Sequence, residues 1–195
     1  MIRSFVGVRI DPEVTEKISE VQTQLKRSLA GIRWVARENL HFTLKFLGAV
    51  PEEKIPAIMS TLEETLRPIL RFRIVGRGIG VFPDIRRARV LWVGLDGDRL
   101  ESLAREVEAT LEPLGFEAEK RAFQPHLTIG RWRNFDGKPR QLREELERWK
   151  DFVFGESWVE EVVLFQSILK PEGAVYSPLK VVPLSAPPAC GSEMA

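Results

Sequence analysis

The sequence holds one cysteine, Cys190, two histidines and one tyrosine among 195 residues. A lone cysteine closes no internal disulfide and builds no zinc site out of several thiolates. No apolar run approaches bilayer-spanning length, and the opening Met1-Ile2-Arg3-Ser4-Phe5 meets Arg9 and Asp11 too soon for a signal peptide. Charge of one sign is not in excess: 29 Lys+Arg against 28 Asp+Glu leave +1. That balance excludes a polybasic coat for long nucleic acid and leaves room for a local patch. Long linkers and short-period repeats are also missing. These absences predict a cytoplasmic protein with no membrane partner.

What is present suits a packed globule: 44% of residues are apolar and 29% charged. The expected layout is a single domain over residues 1–185 and a flexible tail over 186–195, where paired prolines and small residues gather. A monomer is the simplest expectation for its assembly.

Hydrophobic spacing alternates between strand and helix. Residues 5–10 read as a strand, with Asp11 as a cap and Pro12 opening a helix over 14–29. A strand over 40–47, stopped by Gly48, precedes a helix from Pro51 that Pro68 ends near Arg67. Extended segments follow over 71–82 and 89–95, then a helix over 99–114, a helix over 141–149 and a strand over 158–169. Val93-Gly94-Leu95 echoes Val6-Gly7-Val8. From each glycine to the next histidine the distances are similar, 41 − 7 = 34 and 126 − 94 = 32 residues. A strand–helix–strand unit used twice predicts two similar lobes.

The two histidines share one context: His41-Phe42-Thr43-Leu44 and His126-Leu127-Thr128-Ile129. On a strand, side chains alternate faces. Each motif then presents an imidazole and a hydroxyl on one surface, with two apolar anchors on the other. Two imidazoles on opposite sides of a phosphorus can remove a proton from the attacking oxygen and supply one to the leaving oxygen. The hydroxyls of Thr43 and Thr128 can hydrogen-bond non-bridging oxygens as charge builds there. This scheme uses no cofactor, and two histidines with two hydroxyls lack the third strong ligand of a metal site.

These motifs resemble the H-x-T-x pair of the two-histidine phosphoesterase superfamily, and the flanking residues narrow the likeness. They are similar to the branch of RNA 2′,3′-cyclic phosphodiesterases, also called 2′-5′ RNA ligases. The supporting stretches are Arg3-Ser4-Phe5-Val6-Gly7-Val8, Trp34-Val35, Glu38-Asn39-Leu40-His41-Phe42-Thr43-Leu44-Lys45-Phe46-Leu47-Gly48, Val81-Phe82-Pro83, Arg89-Val90-Leu91-Trp92, Phe123-Gln124-Pro125-His126-Leu127-Thr128-Ile129-Gly130-Arg131 and Tyr176. The resemblance implies a bilobal α+β fold whose mainly antiparallel sheets line a central cleft, with helices outside. It implies hydrolysis of a 2′,3′-cyclic phosphate on an RNA end, a tRNA-derived end among the candidates, to a 2′-phosphomonoester, and some relatives reversibly join tRNA half-molecules through a 2′-5′ linkage. It also implies His41 as proton donor to the departing 3′ oxygen, His126 as acceptor from water, and Thr43, Thr128 and Arg131 as phosphate holders. Gly130 stands where relatives often carry alanine. From the residues alone, the assignment of acid and base stays open. Two alternatives stand beside hydrolysis: reversible 2′-5′ ligation and cleavage of tRNA halves, and an RNA-end binding module without catalysis.

Residues 120–150 carry nine Lys+Arg against four Asp+Glu. Arg131, Arg133, Lys138 and Arg140, with Arg86, Arg87 and Arg89, are candidates for RNA phosphate contacts at a cleft mouth. Phe82, Trp132 and Tyr176 are candidates for stacking on a base. Trp92, Trp149 and Trp158 read as packing residues, Glu144-Glu145-Leu146-Glu147 as an exposed helix face, and Cys190 as part of the tail.

Overall fold

A computed structural model describes residues 1–135, 138–170 and 173–186. Within the described residues nine strands and four α-helices follow in order: β1 Ile2–Arg9, α1 Pro12–Ser28, β2 Ile32–Trp34, β3 His41–Val50, α2 Ile55–Leu66, β4 Phe72–Phe82, β5 Val90–Asp96, α3 Leu100–Leu111, β6 His126–Trp132, α4 Pro139–Trp149, β7 Val153–Val159, β8 Glu161–Lys170 and β9 Gly173–Pro183. The expected architecture is present: an α+β fold with helices outside antiparallel strands. Residues 187–195, with Cys190 and nearly all of the expected tail, lie outside the described residues.

The strands run β7-β4-β5-β6-β3-β1-β8-β9, with β2 paired to β6. This is two half-sheets joined at a seam. β4, β5, β6 and β7 form one half, and β1, β3, β8 and β9 the other. The ladder across the seam is the single antiparallel pair Phe42↔Leu127. Each half mixes strands from both ends of the chain, because β4 leaves the first unit to pair with β5 while β8 leaves the second to pair with β1.

The helices interlock the halves further. α1 follows β1 yet packs on β7, while α3 follows β5 yet packs on β3. Val14, Ile18, Val21 and Leu25 supply the buried stripe of α1 at helical spacing, and Leu100, Leu103, Val107 and Leu111 do so for α3. One continuous cluster of buried side chains therefore runs beneath both halves. A second, small cluster of Phe5, Val163 and Phe165, with Tyr176 against it, lies apart from that core.

Several sequence expectations are corrected here. Asp11 precedes α1, but its side chain makes no cap; its carboxylate accepts from the Trp158 amide, and its own amide donates to Ser157 Oγ. Gly48 does not stop β3, which runs on to Val50 with Gly48 at φ +70°. The strand expected over 158–169 is two, β7 and β8, and between them the chain passes from one edge of the sheet to the other half. β2 and β9 had no periodicity strong enough to mark them. The glycine echo is also out of step: Gly7 pairs with Thr43, whereas Thr128 pairs with Trp92 and Gly94 with His126.

Candidate active site

β3 and β6 begin at the two histidines. The first seven residues of β3 and all seven of β6 share one burial sequence: half-buried, buried, half-buried, buried, buried, exposed, buried. Strict alternation predicts the first four. The repeat of buried residues at positions four and five has a cause in the ladders. Between Thr128 and Gly130 the facing strand advances only from Trp92 to Leu91, leaving Ile129 extra. Between Thr43 and Lys45 it advances only from Gly7 to Val6, leaving Leu44 extra. Both are β-bulges, and an extra residue reverses which face the following side chains take.

The consequence is chemical. Without its bulge, β6 would point Arg131 toward the core face of Leu127 and Ile129. With it, Arg131 shares the open face of His126 and Thr128. The corresponding position of β3 holds Phe46, which is 69% exposed and 6.1 Å from the Phe5 ring. Sequence reasoning gave Phe46 no role; periodicity alone places it on the wrong face.

The bulge is held from below. Ile129 O accepts from the Val35 amide at 3.0 Å and from Gln22 Nε2 at 2.9 Å, and the same Nε2 reaches Val35 O at 2.9 Å. At Gly130, a Cβ would lie 2.5 Å from Ile32 Cγ2, so the space an alanine would need is filled by Ile32.

The seam brings the two motifs together. Phe42 and Leu127 face each other, both fully buried. Continuing that antiparallel register by one residue sets His41 beside Thr128 and Thr43 beside His126, all four on the face opposite the apolar pair. The imidazoles are held alike. His41 Nδ1 lies 2.7 Å from Asn39 O, and His126 Nδ1 lies 2.7 Å from Gln124 O. A carbonyl oxygen only accepts, so each Nδ1 carries the hydrogen and each neutral ring keeps its Nε2 lone pair for the cleft. Asn39 is itself tied down, its Nδ2 donating to Ala174 O at 3.0 Å.

The walls differ. His41 stacks on Phe5 at 4.8 Å, with Phe165 tilted at 5.9 Å and Tyr176 edge-on at 4.9 Å. His126 meets Phe82 edge-on at 5.0 Å and Trp92 at 6.5 Å. Burial pushes His41 down to about 4, against the raising effect of its bond to Asn39 O, and the Arg131 charge lowers it further. His126 is lowered by the same three influences, burial first, then opposed by Gln124 O and reinforced by Arg131. Arg131 thus lies within electrostatic reach of both rings. It has no ion pair with a carboxylate among the described residues.

Other candidates divide. Trp132 is 4% exposed and donates its Nε1 hydrogen to Ala30 O, so it belongs to the core and offers no stacking face. Trp92 packs over Gly80, where a Cβ would sit 2.1 Å from its ring, and its ring also stands beside His126. Trp149 is core, while Trp158 is half-buried between the guanidiniums of Arg71 and Arg73. Arg87 is paired to Asp84, Arg89 donates to Arg133 O, and Arg140 is paired to Glu144. Among the described residues, no group of three or more His, Cys, Asp or Glu is arranged to hold a metal, and no helix is long and apolar enough to cross a membrane.

Comparison with known proteins agrees with this geometry. The family model of LigT-like phosphoesterases matches twice, over residues 8–92 and 93–176, one match for each histidine motif. An RNA 2′,3′-cyclic phosphodiesterase of Methanocaldococcus jannaschii is 38% identical over 92% of this chain and 99% of its own length. A crystal structure from Thermus thermophilus superposes with a TM-score of 0.82 at 29% identity, covering 95% of this chain and 99% of that one. Escherichia coli LigT in complex with 3′-AMP gives a TM-score of 0.74 at 26% identity, over 94% and 98%. With two matches that between them take in both motifs and nearly all the strands, the chain belongs to the LigT-like phosphoesterase family.

Proposed function

We propose that this enzyme hydrolyses the 2′,3′-cyclic phosphate at an RNA end to a 2′-phosphomonoester, with His41 and His126 as its acid and base. The carrying observation is the seam: two imidazoles, each with its Nε2 turned from the backbone carbonyl that holds Nδ1 and a threonine hydroxyl beside it, on one face with an arginine that has no carboxylate partner among the described residues.

In this scheme the phosphate lies over the seam. A water on the His126 side gives its proton to Nε2 as its oxygen attacks phosphorus. The P–O3′ bond breaks opposite the new bond, and O3′ takes the proton from Nε2 of His41. The products are a free 3′-hydroxyl and a 2′-phosphate, and proton exchange with solvent resets both rings. Thr43, Thr128 and Arg131 hold the non-bridging oxygens, where charge grows in the transition state. Both rings are depressed in the free site, so His41 gains its proton with the anion, whose charge offsets Arg131 and the loss of hydration. Phe46, exposed beside Phe5, offers the terminal base an aromatic surface.

The test is product analysis on an oligonucleotide ending in a 2′,3′-cyclic phosphate, with and without a 5′-hydroxyl partner. A 2′-phosphate end in both cases is the expected result. Joined product would favour the ligase reading, and no turnover the binding module. His41→Ala and His126→Ala should each lower kcat by roughly 10²–10⁴-fold with the fold intact.

A further inference from the structure

We propose that Arg3 forms a second phosphate subsite, at the far end of the cleft face from Arg131. It holds the phosphate on the 5′ oxygen of the terminal nucleoside of a single-stranded RNA. This rests on the reading just given, which lays the reacting phosphate over the seam.

β1 is the neighbour of β3 in the half-sheet of His41. It pairs with β8 in unbroken register from Ser4 to Gly7, so its side chains alternate faces there. Phe5 stacks on His41, which puts Arg3, two residues earlier, on the cleft face as well. Gly7 and Arg9 continue the same column, opposite Thr43 and His41. The arginines at its two ends differ. Arg9 is bound to Glu161 at 2.7 Å, so that end presents a neutral pair and a carboxylate. Arg3 is exposed, faces the exposed Ala49 across the ladder, and has no ion pair among the described residues. A phosphate chain is drawn to the Arg3 end.

The chemistry gives the same direction. His41 protonates O3′, an oxygen of the terminal ribose, so that ribose lies on the half-sheet of His41. A 2′,3′-cyclic phosphate ends its chain, and the next phosphate is joined through the 5′ oxygen. From the seam, β3 leads past Thr43 to the exposed ring of Phe46, opposite Phe5, and then to Ala49, opposite Arg3. Phe46 takes the terminal base, and Arg3 stands one cleft-facing row further on. From Gly7, opposite Thr43, to Arg3 is about 13 Å along the strand. A nucleoside and an extended arginine side chain together span that distance. Arg131 lies the other way, because the antiparallel seam carries β6 from Thr128 past His41. The two guanidiniums thus bracket one nucleotide, and a net charge of +1 suits so short a grip.

The experiment compares kcat/KM for a nucleoside 2′,3′-cyclic monophosphate with that for the same nucleotide carrying a 5′-phosphate, at several salt concentrations. Wild type should prefer the 5′-phosphorylated substrate, with a preference that falls as salt rises. In Arg3→Gln the ratio of the two should drop about fivefold, and the salt slope by roughly one. Arg3→Lys keeps the charge and should keep most of both. Each ratio is taken within one protein sample, so a partly unfolded variant does not mimic the effect. An unchanged ratio in Arg3→Gln, or no wild-type preference while the unphosphorylated substrate is still hydrolysed, overturns the subsite and leaves the parent reading standing. Failure of wild type to hydrolyse either substrate overturns both.

Discussion

Phe42 and Leu127 are directly opposed across the bridge that ties β3 to β6, and both are fully buried. This apolar pair fixes the relation between two motifs that lie far apart in the chain. Each residue follows a histidine and precedes a threonine, so whatever sets the pair also sets the four polar groups behind it. Phe42→Ala should cost about 3–5 kcal/mol of stability by cavity formation. Urea unfolding measures that loss; a loss below about 1 kcal/mol would mean that the seam does not depend on this contact.

The acid–base pair should show itself in pH profiles. Catalysis needs one ring protonated and the other neutral, and in the free site both are held below 6.5, His41 at about 4. The bell for kcat/KM, which reports the free enzyme, should peak on the acid side of 6.5. The bell for kcat should lie at higher pH, because bound phosphate favours both charged rings. Arg131→Gln removes a charge that depresses both, so its kcat/KM limbs should move to higher pH. A wild-type kcat/KM optimum above pH 7 would contradict the electrostatics.

Burial of His41 also couples folding to protons. In the unfolded chain its ring takes a proton near 6.5, but in the fold only near 4. Between those values the unfolded state binds more protons, so stability is full above 6.5 and falls as pH falls. The loss from this ring is about 3 kcal/mol by pH 4. His41→Gln lacks that loss, and its unfolding free energy should depend less on pH by about that amount between pH 7 and 4. Equal pH dependence in variant and wild type would show that the ring is not shielded by Phe5, Phe165 and Tyr176.

Gln22 acts at a distance from the cleft. Its side-chain amide serves two carbonyls, those of Val35 and Ile129, and so supports the bulge that turns Arg131 outward. Gln22→Leu leaves these acceptors short of a donor, at a cost of roughly 1–3 kcal/mol. It should also raise KM for a cyclic phosphate substrate more than it lowers kcat. Thermal unfolding and steady-state kinetics read the two effects; unchanged KM would detach the bulge from phosphate binding.

Alternation within a strand made the first four residues of each motif readable, and helical spacing made all four helices readable to within a few residues. What escaped depends on pairing between distant segments. The bulges at Leu44 and Ile129 exist only relative to β1 and β5, so the faces of Phe46 and Arg131 follow from the ladders and not from local pattern. The aromatic box around His41 draws on β1, β8 and β9, and no window of sequence contains all three. Trp132 shows the converse error: an aromatic next to a functional arginine invites a binding role, but the bulge turns it into the core.

Catalysis by this pair requires both Nε2 atoms to converge on one phosphate, and a crystal structure with a nucleoside 2′-monophosphate bound reads that convergence out. The phosphate should lie over the Phe42–Leu127 seam, with His41 Nε2 and His126 Nε2 each about 3 Å from its oxygens, on opposite sides of phosphorus. A phosphate bound elsewhere, or touched by one imidazole with the other turned away, would rule out the two-histidine mechanism.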